Sequence, residues 1–162
     1  NFRAHYLHTG PEILRQAGVP IDGFCDFPGT GGTFAGCAAA LKEANPATKC
    51  FVVEPAGAAV LAGKPPTSPY HRIQGGGYAR SSLAYLRPEY VDGYLQVGDE
   101  EAIQVTRRLA EEEGLFCGIS SGANVAAALQ LLQGPLKGGT VATILNDSGL
   151  KYLSSDLWGG PA

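Results

Sequence analysis

A short apolar segment at residues 23–27 runs directly into a glycine-rich turn, and the turn opens a helix pattern. The residues of this turn are, in order, Gly29, Thr30, Gly31, Gly32 and Thr33. Apolar side chains then recur at Phe34, Cys37, Ala38 and Leu41, the i, i+3, i+4, i+7 spacing of one helix face. A strand that passes straight into a helix is the first half of a strand–helix–strand unit. The segment therefore predicts a parallel sheet covered by helices.

The rest of the chain repeats this alternation of strand and helix patterns. Further helices are predicted at residues 11–17, 99–113 and 123–133, with Asp99 expected to cap the second of these. Apolar strands are predicted at residues 50–54 and 140–145. The alternation predicts an α/β fold in three layers, with a mainly parallel sheet and helices on both faces. We expect residues 1–162 to form one such domain.

The composition excludes several classes of protein. Hydrophobic residues make up 44% of the 162 residues, which is enough for a buried core and excludes a disordered chain. The formal net charge is -3 and no basic patch is present, so we expect no nucleic-acid partner. No apolar run reaches the roughly 18 residues that a membrane span needs. We therefore expect no membrane partner and a cytoplasmic location.

The possible metal ligands are scattered along the chain. No two of the four cysteines have the close spacing of a zinc site or a redox pair. Three of them lie in apolar runs and Cys37 lies on an apolar helix stripe, which predicts reduced and buried thiols. His5 and His8 are three residues apart, but no second pair and no carboxylate cluster accompanies them. The sequence therefore predicts no metal site, and both histidines are expected to be structural or exposed.

The turn at residues 29–33 has the properties of an anion site. Backbone N–H groups at the start of a helix lack intrahelical partners, and the helix dipole favours negative charge. The hydroxyls of Thr30 and Thr33 add further donors. Phe34 stands where a dinucleotide fingerprint needs glycine, and the lysine of a Walker A loop is absent. The turn therefore suits a single phosphoester, although a plain strand-to-helix turn remains the alternative.

Two further glycine segments are expected near the same edge of the sheet, because parallel sheets bind ligands at the carboxyl ends of their strands. Gly75, Gly76 and Gly77 form either a flexible surface loop or part of a site. Residues 118–122 have the G-x-S-x-G pattern of a hydrolase nucleophile elbow around Ser120. That elbow needs a later histidine, and all three histidines precede Ser120. A serine hydrolase is thus the disfavoured alternative to a helix cap or a ligand contact.

The motifs occur in an order typical of one enzyme family. They cover residues 1–6, 9–13, 29–33, 53–55, 73–75, 99–102, 112–115, 118–123, 147–149 and 152–153. In these segments the chain resembles the cysteine synthases and cystathionine β-synthases, which depend on pyridoxal 5'-phosphate (PLP) and share the tryptophan-synthase β-subunit fold. The resemblance implies that the turn at residues 29–33 binds the phosphate of PLP and that Ser120 hydrogen-bonds its pyridine nitrogen. The turn at residues 75–77 would line the substrate side of the cofactor.

The resemblance also implies a reaction. A serine hydroxyl leaves the pyridine nitrogen largely unprotonated, because no anion stabilises the pyridinium, and this suits β-elimination and β-replacement on an amino acid. The implied activity is synthesis of cysteine from an activated serine, such as O-acetylserine, and a sulfur donor. A cystathionine β-synthase, a serine or threonine dehydratase, and a non-catalytic phosphate- or PLP-binding interaction module are the alternatives. The family also implies a homodimer.

The chain departs from the family pattern in four respects. Gly76 stands where the family usually has isoleucine, the family proline that follows is not evident near Ser81 and Ser82, and Asn146 stands where the family usually has proline. No lysine of this chain lies in a segment like the family's lysine motif, so we expect no catalytic residue here: the lysine that forms the Schiff base would lie in an N-terminal half. The chain starts at Asn1 rather than Met, and we expect it to be the C-terminal, cofactor-phosphate-binding domain of a larger two-domain enzyme.

Overall fold

Strands and helices alternate along the chain in a computed structural model, which describes residues 1–159. The expected domain ends at residue 162, so its last three residues lie outside this description. The strands are β1 (Gly23–Asp26), β2 (Lys49–Pro55), β3 (Gly93–Val97) and β4 (Val141–Thr143). The helices are α1 (Phe2–Ala4), α2 (Gly10–Ala17), α3 (Gly32–Ala44), α4 (Asp99–Glu113) and α5 (Ile119–Gln133). A π-helical stretch, His5–Thr9, joins α1 to α2, and short 3-10 helices occur at Pro88–Tyr90, Gly149–Tyr152 and Asp156–Trp158.

The sheet has four strands in the order β3-β2-β1-β4, and every pairing is parallel. Side chains of successive strand residues point to opposite faces. Phe24 and Val52 pack into a core cluster with α3, whereas Cys25 and Val53 pack into a second cluster with α5. Helices therefore cover both faces of the sheet, and the predicted three-layer α/β fold is confirmed.

The strand order creates a topological switch point between β1 and β4. From β1 the chain passes through α3 to β2 on one side, whereas β4 pairs with β1 on the other side. Connections that leave two neighbouring strands in opposite directions open a crevice at the carboxyl ends of those strands. Asn124 on α5 lies beneath this crevice, where its Nδ2 donates to the backbone oxygen of Ile144 at 2.8 Å and to Asp26 Oδ1 at 3.3 Å.

Three structural features differ from the sequence-based expectations. Strand β3 was not predicted, because its sequence Gly-Tyr-Leu-Gln-Val mixes polarities and its Tyr94 side chain is 38% exposed at the sheet edge. Helix α5 begins at Ile119 rather than at residue 123, so Ser120 lies in its first turn. Asp99 does not cap α4: Gly98 holds the cap position, and Asp99 Oδ2 accepts the backbone N–H of Arg72 at 3.0 Å.

The four cysteines are free and buried, as predicted. Burial raises the pKa of Cys25, Cys37 and Cys50 to about 12, which keeps these thiols protonated at neutral pH. Within residues 1–159, no helix is both long enough and apolar enough to cross a membrane.

Candidate functional site

A cavity of about 590 Å³ lies at the carboxyl ends of β1 and β4, at the switch point of the sheet. Three predicted segments meet there: the first glycine turn, the second glycine turn and the start of α5. Predicted site residues on its wall are Gly29, Thr30, Gly31, Thr33, Gly75 and Ser120. Gly32, Gly76 and Gly77 are not among its lining residues, because they pack behind the wall.

The first glycine turn is shaped by close backbone packing. A Cβ atom added at Gly29 would lie 2.6 Å from the carbonyl oxygen of Gly75. Gly31 has φ +85°, and a Cβ there would lie 2.6 Å from the backbone nitrogen of Leu86. A Cβ at Gly32 would overlap the side chain of Asn1. Larger residues would therefore displace the turn from its neighbours.

The same turn presents hydrogen-bond donors to the cavity. It leads into α3, a helix of 13 residues with no acidic residue in its first turn. Thr30 Oγ1 accepts a hydrogen bond from Asn1 Nδ2 at 3.0 Å, so this contact does not use the threonine proton. Thr33 Oγ1 lies 3.2 Å from His5 Nε2. Free N–H groups, hydroxyls and a favourable dipole make this end of the cavity an anion site.

His5 lines that end of the cavity and contacts two threonines. Its Nδ1 lies 3.1 Å from Thr9 Oγ1, while its Nε2 contacts Thr33. Burial lowers the pKa of His5, which favours the neutral ring at pH 7. His5 thus lines the site, whereas His8 is exposed. No cluster of three or more His, Cys, Asp or Glu side chains suited to a metal occurs in the described part of the chain.

The second glycine turn closes the cavity on another side. Gly75 has φ +94° and its carbonyl oxygen faces Gly29. Gly76 is buried, and a Cβ there would overlap the backbone oxygen of Pro28. Gly77 has φ +66°, packs on Pro55 and offers its carbonyl oxygen to His71 Nε2 at 2.9 Å. The backbone of this turn therefore packs closely against the first turn.

Ser120 lies opposite the first turn and is 4% exposed. Close packing of α5 on α4 at Gly122 fixes its position, because a Cβ at Gly122 would overlap Thr106 and Ala102. Ser120 Oγ accepts a hydrogen bond from Asn146 Nδ2 at 3.2 Å. Since an amide and not a histidine contacts this hydroxyl, the geometry contradicts the nucleophile elbow of a serine hydrolase.

Asp26 is a site residue that the sequence interpretation missed. It ends β1, lines the cavity and is 2% exposed. Burial raises the pKa of Asp26 to about 6, although the hydrogen bond from Asn124 opposes this shift. A lone carboxylate between an apolar strand and a glycine turn was the available signal, since residues that follow parallel strands gather around ligands.

A second missed group lies in the segment that follows β4. Asp147, Lys151 and Tyr152 line the cavity. Asp147 Oδ2 accepts the Tyr152 hydroxyl at 3.1 Å and lies 3.4 Å from Lys151 Nζ. Burial and the Asp147 charge raise the pKa of Tyr152 to about 12, so its hydroxyl stays protonated. Lys151 places an amine on the cavity wall, and its sequence position did not indicate this.

Comparison with known proteins identifies the family. Residues 1–147 match the family described as pyridoxal-phosphate dependent enzyme. The chain belongs to this family. It is 41% identical over 159 residues to the cysteine synthase of Staphylococcus aureus, an alignment that covers 98% of this chain and 50% of the relative. The expected resemblance is thereby confirmed.

Solved structures of family members share the fold. Cysteine synthase from Entamoeba histolytica superposes with a TM-score of 0.89 at 32% identity, covering 99% of this chain and 47% of that protein. The O-acetylserine-dependent cystathionine β-synthase from Helicobacter pylori gives a TM-score of 0.82 at 38% identity, covering 96% of this chain and 50% of that protein. The chain thus spans about half the length of these relatives.

Proposed function

We propose that this chain is the cofactor-phosphate-binding domain of a PLP-dependent enzyme that makes cysteine by β-replacement on an activated serine. The observation that carries the proposal is the pairing of two subsites across one cavity. An anion site at residues 29–33 lies on one wall, and the buried hydroxyl of Ser120 lies on another. A ligand with one phosphate and one polar ring atom fits this pairing.

The residues present fit the phosphate of PLP. Backbone N–H groups at the start of α3 would hold its oxygens, with Thr30 and Thr33 adding hydroxyl donors. The glycine packing described above sets the turn directly against Gly75, Leu86 and Asn1, which fixes the backbone that would face the phosphate. Gly29, Gly31 and Gly32 would therefore serve the phosphate through their backbone, and the role of Gly32 would be to let α3 begin close to Asn1.

The ring end of the cavity fits a neutral pyridine nitrogen. Ser120 Oγ accepts from Asn146, so its own proton is available to donate to an acceptor in the cavity. When bound, PLP withdraws electrons from the substrate's α-carbon, which allows a β-substituent to leave and a sulfur nucleophile to add. Gly75 would face the substrate, while Gly76 and Gly77 would hold Gly75 in place from behind.

We propose that the Schiff-base lysine lies outside this chain, in the N-terminal half of the enzyme. Lys151 is the critical case, because it lines the cavity and lies 3.4 Å from Asp147 Oδ2. Its Nζ is engaged in an ion pair with the Asp147 carboxylate, and its side chain is 69% exposed. Borohydride reduction of the PLP-loaded full-length protein, followed by peptide mass spectrometry, should find the pyridoxyl group on none of the five lysines of this chain.

Two substrate assignments follow from the relatives. Sulfide as the nucleophile would make the enzyme a cysteine synthase, as named for the relative from Staphylococcus aureus. Homocysteine as the nucleophile would make it a cystathionine β-synthase, and the relative from Helicobacter pylori supports this second candidate. Competition between the two thiols for one activated serine separates these candidates. Homodimerisation and a cytoplasmic location remain predictions.

Equilibrium binding of PLP to the full-length protein tests the proposed site. Thr33→Val removes one hydroxyl from the anion site and should weaken binding about tenfold, since hydrogen bonds to charged groups are worth about 1.5 kcal/mol or more. Thr67→Val changes an exposed threonine outside the cavity and serves as the matched control. Equal affinity of both variants and the wild type would contradict the phosphate assignment.

A further inference from the structure

The side chain of Asn146 contacts the hydroxyl of Ser120. Asn146 follows β4 and lines the same cavity, and its Nδ2 donates to Ser120 Oγ at 3.2 Å.

Asn146 is held in place independently of this contact. Its backbone N–H donates to Ser121 Oγ at 2.9 Å, which ties the loop after β4 to the first turn of α5. The backbone hydrogen bond to Ser121 positions Asn146, and the side-chain amide donates separately to Ser120. Truncating the side chain at Cβ therefore removes the contact with Ser120 while the tie to Ser121 stays.

The hydroxyl of Ser120 is the acceptor in its contact with Asn146. A hydroxyl has one proton to donate and can accept from other donors. Because the amide of Asn146 supplies the proton in their contact, the hydroxyl proton of Ser120 is free to point into the cavity. A hydroxyl that accepts a hydrogen bond is also polarised and becomes a stronger donor.

We propose that Asn146 is a positioning residue, which holds Ser120 as a hydrogen-bond donor toward an unprotonated ring nitrogen in this cavity. The proposal rests on the proposed function, since it assumes a pyridine ring at Ser120. Asn146, which follows β4, orients the hydroxyl proton of Ser120 into the cavity. A ring nitrogen that meets this proton must act as a hydrogen-bond acceptor.

The test is a double-mutant cycle on PLP affinity in the full-length protein. Ser120→Ala removes the donor and should weaken PLP binding about tenfold, and Asn146→Ala should weaken it about fivefold. In the Ser120→Ala background, Asn146→Ala should have no further effect, because its partner is gone. Asn45→Ala, at the end of α3, is the control for an asparagine side chain outside the cavity.

A spectroscopic readout reports how the charge of the side chain at position 146 acts on the bound ring. Asn146→Asp places a carboxylate beside Ser120, so Ser120 would donate to it and could accept from a protonated ring. The pH at which the absorbance of the bound ring titrates should rise by about one unit in this variant, because an anion favours the pyridinium. Asn146→Ala, which brings no charge, should leave that pH within about 0.3 of the wild type.

The outcomes distinguish two failures. If Ser120→Ala weakens binding and Asn146→Ala leaves it unchanged, the role of Asn146 is wrong and the proposed site stands. If Asn146→Ala has the same effect with or without the Ser120 hydroxyl, the side chain acts on packing and the proposal is overturned. If Ser120→Ala and Thr33→Val both leave PLP affinity unchanged, the proposed function itself fails.

Discussion

Replacing Asp26 by asparagine should stabilise the cofactor-free protein at neutral pH. Asp26 is 2% exposed at the end of β1, and no cation forms a salt bridge with it within residues 1–159. Its carboxylate accepts from Asn124 Nδ2 at 3.3 Å, while Asn124 Oδ1 is buried without a partner. An asparagine at position 26 keeps the acceptor, adds a donor for Asn124 Oδ1 and removes the buried charge.

The size of the effect follows from the pKa shift. Burial raises the pKa of Asp26 from 3.8 to about 6. Between these values the folded protein binds more protons than the unfolded chain, so the free energy of unfolding falls as pH rises. Each pKa unit corresponds to about 1.36 kcal/mol, so the full penalty above pH 6 is about 3 kcal/mol. Asp26→Asn abolishes this penalty, and the gain disappears below pH 4, where both side chains are neutral.

Urea unfolding between pH 4 and pH 8 measures the prediction. The variant should exceed the wild type by about 3 kcal/mol at pH 8 and match it near pH 4. Glu111→Gln, at an exposed carboxylate outside the cavity, controls for the change in net charge. A difference between Asp26→Asn and wild type that stays constant from pH 4 to pH 8 would refute the reasoning, as would a less stable variant at pH 8.

Two further substitutions test the packing of the site. Gly29→Ala places a Cβ 2.6 Å from the carbonyl oxygen of Gly75, which should separate the two glycine turns. PLP binding, measured by fluorescence titration, should therefore weaken more than about tenfold. Wild-type affinity would contradict that close packing. Tyr152→Phe removes the hydroxyl that donates to Asp147 Oδ2. Because the other carboxylate oxygen, Asp147 Oδ1, is already buried without a hydrogen bond, the substitution should lower the free energy of unfolding by about 1–3 kcal/mol. An unchanged urea midpoint would show that Asp147 gains nothing from the tyrosine.

Local rules were enough to predict part of the molecule. The strand–turn–helix segment from residue 23 to residue 44 follows from an apolar run, glycines and a helical apolar spacing, all within one stretch of chain. The burial of the four cysteines follows from the apolar runs that hold three of them and the apolar helix stripe that holds Cys37. These features need no knowledge of how distant elements pair.

Other features depend on contacts between distant parts of the chain. Strand β3 is an edge strand with a half-exposed face, so its sequence lacks the apolar run of a central strand. The role of Asp26 as a cavity residue depends on β4 pairing beside β1, which the sequence order alone does not reveal. The contact of Asn146 with Ser120 joins residues 26 positions apart and needed the geometry of α5 against β4.

A crystal structure of the full-length protein with PLP tests the central claim most directly. The phosphate should lie within hydrogen-bond distance of backbone N–H groups of residues 30–33, and the ring nitrogen should lie within hydrogen-bond distance of Ser120 Oγ. The Schiff-base carbon should be joined to a lysine outside this chain. A phosphate bound elsewhere, or a Schiff base on Lys151, would contradict the account.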